Sequence, residues 1–280
     1  MEKIALITGS TDGIGKATVI ELAKVGYTIH IHGLSAKKGK GVLETVKDID
    51  PNKEHKLFLV DLSIVDFNKK FLQEYTEQYE KLDLLILNAL SWSKKIETTQ
   101  DGIERTFATG FISRYMFSLA LNSLLGKGKD ARVIHIGGGS RAGNINYEKL
   151  KDPDYGIVKA TYFSYIADGY FTYFVNQLSK IKVSHEYFYP GFVNTAQVKQ
   201  IPFVIREISK LLGLLIEPAE AGQLLVKHIL STSSNEVAGK YYHMGKLKKD
   251  SEKLKKAESA YQELMSFSEQ ITGFDIDDIT

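Results

Sequence analysis

Ile4-Ala5-Leu6-Ile7-Thr8-Gly9-Ser10-Thr11-Asp12-Gly13-Ile14-Gly15 is the stretch on which the fold turns. Ile4 to Ile7 is an unbroken apolar run, the pattern of a short strand buried on both faces. Three glycines follow, and then Ile14, Thr18, Leu22 and Val25 recur at spacings of 4, 4 and 3, which marks one face of a helix closed by Gly26. Glycine permits a tight turn and a close backbone approach, and the helix start behind it presents unsatisfied N–H groups and a positive dipole end. A strand, a glycine turn and a helix in this order suit a diphosphate ligand, whereas a lone glycine pattern would be weak evidence.

The same alternation continues outward. Strands are predicted over 27–32, 56–60, 82–87, 132–136, 181–188 and 237–244, and helices over 38–49, 67–79, 102–125, 156–179 and 218–230, the last opened by Pro218. Alternating strands and helices imply an α/β fold: one doubly wound Rossmann-type domain, with about seven parallel strands and helices on both faces. In such a sheet ligands bind beyond the carboxyl ends of the strands, where the strand order reverses.

Composition narrows the function. At 280 residues and 43% apolar content, one substantial core is expected. The 36 basic and 34 acidic residues nearly cancel, so nucleic acid is not an expected partner. The absence of cysteine excludes disulfides, thiolate catalysis and Cys-based zinc sites, and fits a reducing, cytoplasmic setting. No signal peptide or membrane-spanning run is read, and the seven histidines show no metal-ligand spacing. His30 and His32 alternate on a strand and are read as structural.

Thr8-Gly-Ser-Thr-Asp-Gly-Ile-Gly15 resembles the TGxxxGxG turn of the short-chain dehydrogenases/reductases, and the resemblance runs along nearly the whole chain. Asp61-Leu62-Ser63 is similar to the family's adenine-contacting motif, Asn88-Ala89 to part of its Asn-Asn-Ala-Gly, and Pro190-Gly191-Phe192-Val193-Asn194-Thr195 to its Pro-Gly-x-Val-x-Thr, which meets the nicotinamide end. Asp101 to Thr109, Gly239 to Tyr242 and Glu263 to Gly273 look like the retinol-dehydrogenase-like branch. The resemblance implies a cofactor site built from Gly9, Ser10, Thr11, Asp12, Gly13, Ile14, Gly15, Leu34, Ser35, Lys37, Asp61, Leu62, Asn88, Ala89, Pro190, Gly191, Val193 and Thr195. It also implies a small-molecule substrate and a homo-oligomer.

The loop after strand two decides between NADP(H) and NAD(H). An acid there would bind the adenine ribose hydroxyls and select NAD. His32-Gly33-Leu34-Ser35-Ala36-Lys37-Lys38 has none, and Lys37, Lys38, Lys16 and the Ser35 hydroxyl can meet a 2′-phosphate. NADP(H) is therefore expected over NAD(H), although Leu34 stands where NADP-preferring members carry arginine.

The family's proton donor is a tyrosine whose pKa an adjacent lysine lowers, at Tyr-x-x-x-Lys spacing on one helix face. Tyr155 and Lys159 have that spacing and are the expected acid/base and its partner. Three departures weigh against a competent site. Gly110 stands at the family's asparagine position, and Gly138 at its serine position, with Ser140 two residues on as a substitute. Pro190 lies 31 residues after Lys159, longer than is usual, and a gapless reading back from Pro190 places Ala160 and Ser164 at the Tyr and Lys positions. Leu90, where the family has glycine, is a further departure. The expectation is thus an NADP-dependent oxidoreductase for an apolar alcohol or carbonyl compound, with a catalytically silent dinucleotide-binding sensor or scaffold as the alternative. Residues 196–216 read as an apolar substrate lid or, less simply, a lipid-docking segment, and 246–280 as a C-terminal helical extension whose lysines form a solvated face.

Overall fold

In the computed structural model the described residues are 2–92, 95–139, 141–195, 198, 207, 209 and 215–276. The first strand, β1 (Lys3–Ile7), runs into α1 (Gly13–Lys24), and β2 (Tyr27–Gly33), α2 (Ala36–Ile49), β3 (Lys56–Leu59), α3 (Val65–Gln78) and β4 (Leu84–Leu87) follow. The predicted long helix is divided: α4 (Arg105–Phe107), a π turn (Ala108–Ile112), α5 (Ser113–Ala120) and α6 (Asn122–Leu125). Then come β5 (Arg132–Ile136), α7 (Tyr147–Lys151), α8 (Ile157–Val175), β6 (Ser184–Tyr189) and the short pair β7 (Phe192–Val193) and β8 (Leu215–Ile216). The chain continues through α9 (Pro218–Ser231), α10 (Ser234–Val237), β9 (Tyr241–His243), β10 (Lys246–Lys248), α11 (Glu252–Lys255) and α12 (Glu258–Thr272).

The main sheet has the order β10-β9-β6-β5-β4-β1-β2-β3, parallel throughout except for β10 against β9. It is the doubly wound α/β sheet expected, with eight strands rather than about seven. The extra strand, Lys246–Lys248, opens the segment read as a C-terminal helical extension, ahead of its two helices. Met244 and Gly245, both at positive φ (51° and 74°), turn the chain so that Lys246–Lys248 pairs back on β9. Strand order reverses between β1 and β4, so the crevice opens there.

Each face of the sheet carries its own core. On one, Val19 and Leu22 of α1, Val42 and Val46 of α2 and Leu225 and Ile229 of α9 cover Ile7, Ile29, Ile86 and Ile134. On the other, Phe71 and Tyr75 of α3, Phe111, Tyr115, Phe171 of α8 and Leu264 of α12 cover Leu6, Leu85 and Val133. Each such side chain removed from water contributes about 1.5–3 kcal/mol. α1 and α9 touch closely at Gly222, where a Cβ would stand 2.8 Å from Ala17. That contact fixes the direction in which the start of α1 points.

Candidate active site

A cleft of about 720 Å³ opens at the β1/β4 reversal, over the carboxyl ends of the strands. Its floor is the glycine turn. Gly9 has φ 65°, and a Cβ there would stand 2.8 Å from the Ala89 Cα; a Cβ on Gly15 would stand 2.4 Å from the Gly9 carbonyl oxygen. Gly13, at φ 53°, sits under the Thr195 methyl. Any side chain at these positions would fill the cradle or strain it.

Neighbouring strands pin the turn. The Thr8 hydroxyl accepts from the backbone N–H of Asn88 (3.0 Å) and Ala89 (3.1 Å), and the Asn88 amide donates to the carbonyls of Thr8 and Gly9. Buried Ser10 does not reach the cleft. Its hydroxyl donates to the Ile7 carbonyl (2.8 Å) and accepts from the His32 N–H (3.0 Å). His32 completes the brace, accepting from the Gly9 N–H at Nδ1 (3.2 Å) and donating from Nε2 to the Val60 carbonyl (3.0 Å). Burial holds its pKa down at about 4, so the ring is neutral and this tautomer fits both contacts. The Asp12 carboxylate caps α1 at the Gly13 N–H (2.8 Å). The first bond within α1 runs from Lys16 N–H to the Asp12 carbonyl (3.1 Å), which leaves the Ile14 and Gly15 amides without helical acceptors. An N–H cradle at a positive helix end fits a diphosphate.

The remaining cofactor candidates spread along the cleft. Gly9, Thr11, Asp12, Gly13 and Ile14 line its floor, Leu34 and Ser35 the loop after β2, Asp61 and Leu62 the end of β3, and Asn88 and Ala89 the end of β4. Pro190, Gly191, Val193 and Thr195 line the far end. Gly15 and Lys37 stand off the wall, and Lys38 takes the place expected for Lys37. Lys38 Nζ lies 2.5 Å from Asp12, which pulls the Asp12 pKa down, and Ser35 Oγ caps α2 at the Lys38 N–H (3.3 Å). Burial works against ionisation of Asp61, but hydrogen bonds from Ser63 and the Arg105 guanidinium (2.6 Å) outweigh it and keep its pKa low.

The structure does not bring Tyr155 and Lys159 to the cleft. Gly156 is the N-cap of α8, so Tyr155 precedes the helix and the i, i+4 argument does not apply to it. Its ring folds edge-on against Phe163 at 5.5 Å, and its hydroxyl is buried without a partner among the described residues. Burial, then the charges of Glu104 and Asp154, push that hydroxyl's pKa upward. Lys159 is exposed, with Nζ 5.9 Å from the Tyr155 ring centre. Ser140, the substitute serine, and most of the 196–216 lid lie outside the described residues.

The three family departures interlock. A Cβ on Gly110 would stand 2.6 Å from the Leu90 Cδ1 and 3.0 Å from Ser164 Cβ, so Leu90 occupies the room an asparagine would need. A Cβ on Gly138 would stand 2.4 Å from Cε2 of Tyr165, whose ring covers the serine position. The α8 face that reaches the cleft is Val158, Thr161, Tyr162 and Tyr165, one residue out of phase with Ala160 and Ser164. Beneath it, buried Arg114 lines the cleft and ion-pairs with buried Asp168. Asp168 also accepts from His135 Nδ1 (2.6 Å), and His135 Nε2 meets His185 Nδ1 at 3.1 Å. Burial opposes the Asp168 charge, yet Arg114 and His135 keep it ionised. Sequence reasoning named Lys38 beside Lys37 and Lys16 but missed Arg114, Thr161, Trp92 and the role of Tyr165. The 3-1-3 spacing of Val158, Thr161, Tyr162 and Tyr165 was the signal available for two of them. Among the described residues no group of three His, Asp or Glu could hold a metal, and no helix is long and apolar enough to cross a membrane.

Bovine dehydrogenase/reductase SDR family member 12 is 29% identical over 205 residues, covering 69% of this chain and 62% of its own length. Human polyprenol dehydrogenase is 27% identical over 282 residues, covering 97% of this chain and 86% of its own. The chain thus spans less than two thirds of the bovine protein. The solved structure of the angucycline C-6 ketoreductase LanV with bound NADP superposes with a TM-score of 0.62 at 20% identity, covering 86% of this chain and 93% of that one. The short chain dehydrogenase family model matches residues 3–202. With that match across most of the chain and a retinol-dehydrogenase-like set of relatives, the protein belongs to the short-chain dehydrogenase/reductase family of oxidoreductases.

Proposed function

We propose that the chain is an NADP(H)-dependent oxidoreductase acting on an apolar alcohol, aldehyde or ketone. One observation carries this reading: a single cleft joins the glycine cradle to the Pro190–Thr195 loop and passes Lys38 and Ser35 with no acid at the end of β2. A bound nicotinamide would supply hydride chemistry at the far end. The open amides at the start of α1 neutralise the diphosphate, and Lys38 exchanges Asp12 for a 2′-phosphate. Val158, Tyr162, Tyr189, Phe192 and Val198 give the substrate end an apolar, largely aromatic wall, which accepts an apolar body.

Trp92, the only tryptophan, lines the cleft and makes binding directly visible. Titration of the full chain should quench its fluorescence with NADPH at lower concentration than with NADH, and the gap should shrink with salt, as an exposed ion pair requires. Absence of quenching and of any other binding signal with both cofactors would end this reading. The interlocked Leu90, Gly110, Gly138 and Tyr165 favour a second reading, a dinucleotide-binding protein without turnover. Reproducible NADPH oxidation by any member of a panel of apolar ketones and aldehydes would exclude it.

A further inference from the structure

Resting on the oxidoreductase reading above, we propose that Tyr165 is the proton donor to the substrate oxygen, with Thr161 holding that oxygen and Arg114 positioning the phenol. Thr161 and Tyr165 are one helical turn apart on α8, and both line the cleft. Thr161 is only 8% exposed, and its hydroxyl is buried with no partner among the described residues. An unpartnered buried hydroxyl costs stability unless something else meets it, and a carbonyl or alcohol oxygen in the cleft would. Tyr165 lies across Gly138, so its ring takes the place at the end of β5 that a serine side chain would fill. The aromatic ring and the missing side chain are one arrangement, because a serine there would overlap Cε2.

Arg114 supplies the only guanidinium buried beside this pair among the described residues that line the cleft's far end. Its two terminal nitrogens are committed to Asp168 and to the Ala89 carbonyl (3.2 Å), and Asp168 is in turn held by His135. The charge is fixed in place by α8 itself. It draws the Tyr165 pKa down, but burial dominates and holds the phenol at about 12, with Tyr189 and Asp168 also pushing it up. Tyr165 is therefore fully protonated at neutral pH. In the reducing direction the carbonyl carbon takes a hydride, the C=O π pair moves to oxygen, and that oxygen takes the proton of the Tyr165 O–H bond. The phenolate left behind regains a proton from water in the open cleft. A phenol held this firmly donates at pH 7 but is a poor acceptor, so reduction outruns alcohol oxidation near neutrality, and oxidation climbs as pH rises.

The experiment uses the full chain with NADPH and an apolar carbonyl panel. Y165F should lose about 10²-fold or more in turnover while its NADPH affinity, read by Trp92 quenching, moves less than about threefold. T161V should raise KM for the carbonyl with little change in NADPH affinity, and T161S should restore it. Y155F should keep wild-type turnover. A readout independent of turnover is the phenolate absorbance difference between wild type and Y165F on alkaline titration. Its midpoint should fall when NADP+ is bound, because a cationic ring at the far end of the cleft would favour the phenolate. Wild-type turnover in Y165F overturns the proposal while leaving the oxidoreductase reading intact. If the wild type binds NADPH but reduces nothing in the panel, the titration decides: a midpoint indifferent to NADP+ overturns the proposal. Failure of the wild type to bind either cofactor is the distinct result that removes the function reading.

Discussion

Lowering the pH from 7 to 5 should destabilise this protein through two histidines under the cleft. His30 and His32 are 1% and 3% exposed, and burial holds each pKa down at about 4. His30 meets the Tyr75 hydroxyl at 2.7 Å, and His32 ties the Gly9 amide to Val60. An unfolded histidine titrates near 6.5, so the unfolded chain takes up these protons first. The stability they contribute is complete above pH 6.5 and drains away as pH falls toward 4. Between pH 7 and pH 5 the loss integrates to about 2 kcal/mol for each ring, or about 4 kcal/mol together. His185, whose pKa burial and the neighbouring His135 drive well below its ordinary value, acts in the same direction. Urea unfolding followed by far-ultraviolet circular dichroism at the two pH values measures the difference. H30F should show a drop about 2 kcal/mol smaller than the wild type's, whatever its own stability at pH 7. A wild type whose unfolding free energy at pH 5 stays within about 1 kcal/mol of its pH 7 value would refute the assignment of neutral, proton-excluding rings.

Three further outcomes follow from the site. Asp12→Asn keeps a capping side chain but releases Lys38, so NADPH should bind a few-fold more tightly at low salt with NADH unchanged, as paired fluorescence titrations would show. Gly15→Ala puts a methyl 2.4 Å from the Gly9 carbonyl oxygen, and should abolish cofactor quenching and lower the melting temperature, with about 1–3 kcal/mol lost. Gly110→Asn should lose about 1–3 kcal/mol in chemical denaturation because Leu90 and Ser164 occupy the space, and adding Leu90→Gly should recover a large part of it. An additive pair of changes would show that the two positions are independent.

The centre of the sheet could be read from sequence because Ala5–Ile7 and Leu84–Leu87 are buried on both sides and apolar without interruption, and because glycine is required where φ is positive at Gly9 and Gly13. The edge hairpin could not. Lys246-Leu247-Lys248 is exposed and polar, so only the backbone turn at Met244–Gly245 declares it a strand. Spacing chose Tyr155 and Lys159, but Tyr155 stands ahead of the helix that Lys159 belongs to. The face of α8 was harder, since its apolar and aromatic residues surround the helix and Tyr165, Tyr170 and Phe171 look alike in sequence. One ring closes the cleft while the others enter the core. Arg114 was invisible for another reason: a buried charge is intelligible only once Asp168, 54 positions away, is beside it.

The π turn at Ala108–Ile112 has a consequence for how this chain tolerates change in length. Each residue advances an α-helix by about 100°, and a π turn accommodates one more residue than the regular spiral it interrupts. Excision of a single amino acid between Thr109 and Ile112 would remove the surplus residue and leave a regular spiral whose flanking turns keep their phase. Arg114 would stay beside Asp168. This segment should therefore accept the loss of one residue more readily than the gain of one, which would turn everything from Ser113 to Ala120 by about 100° and carry Arg114 away from Asp168.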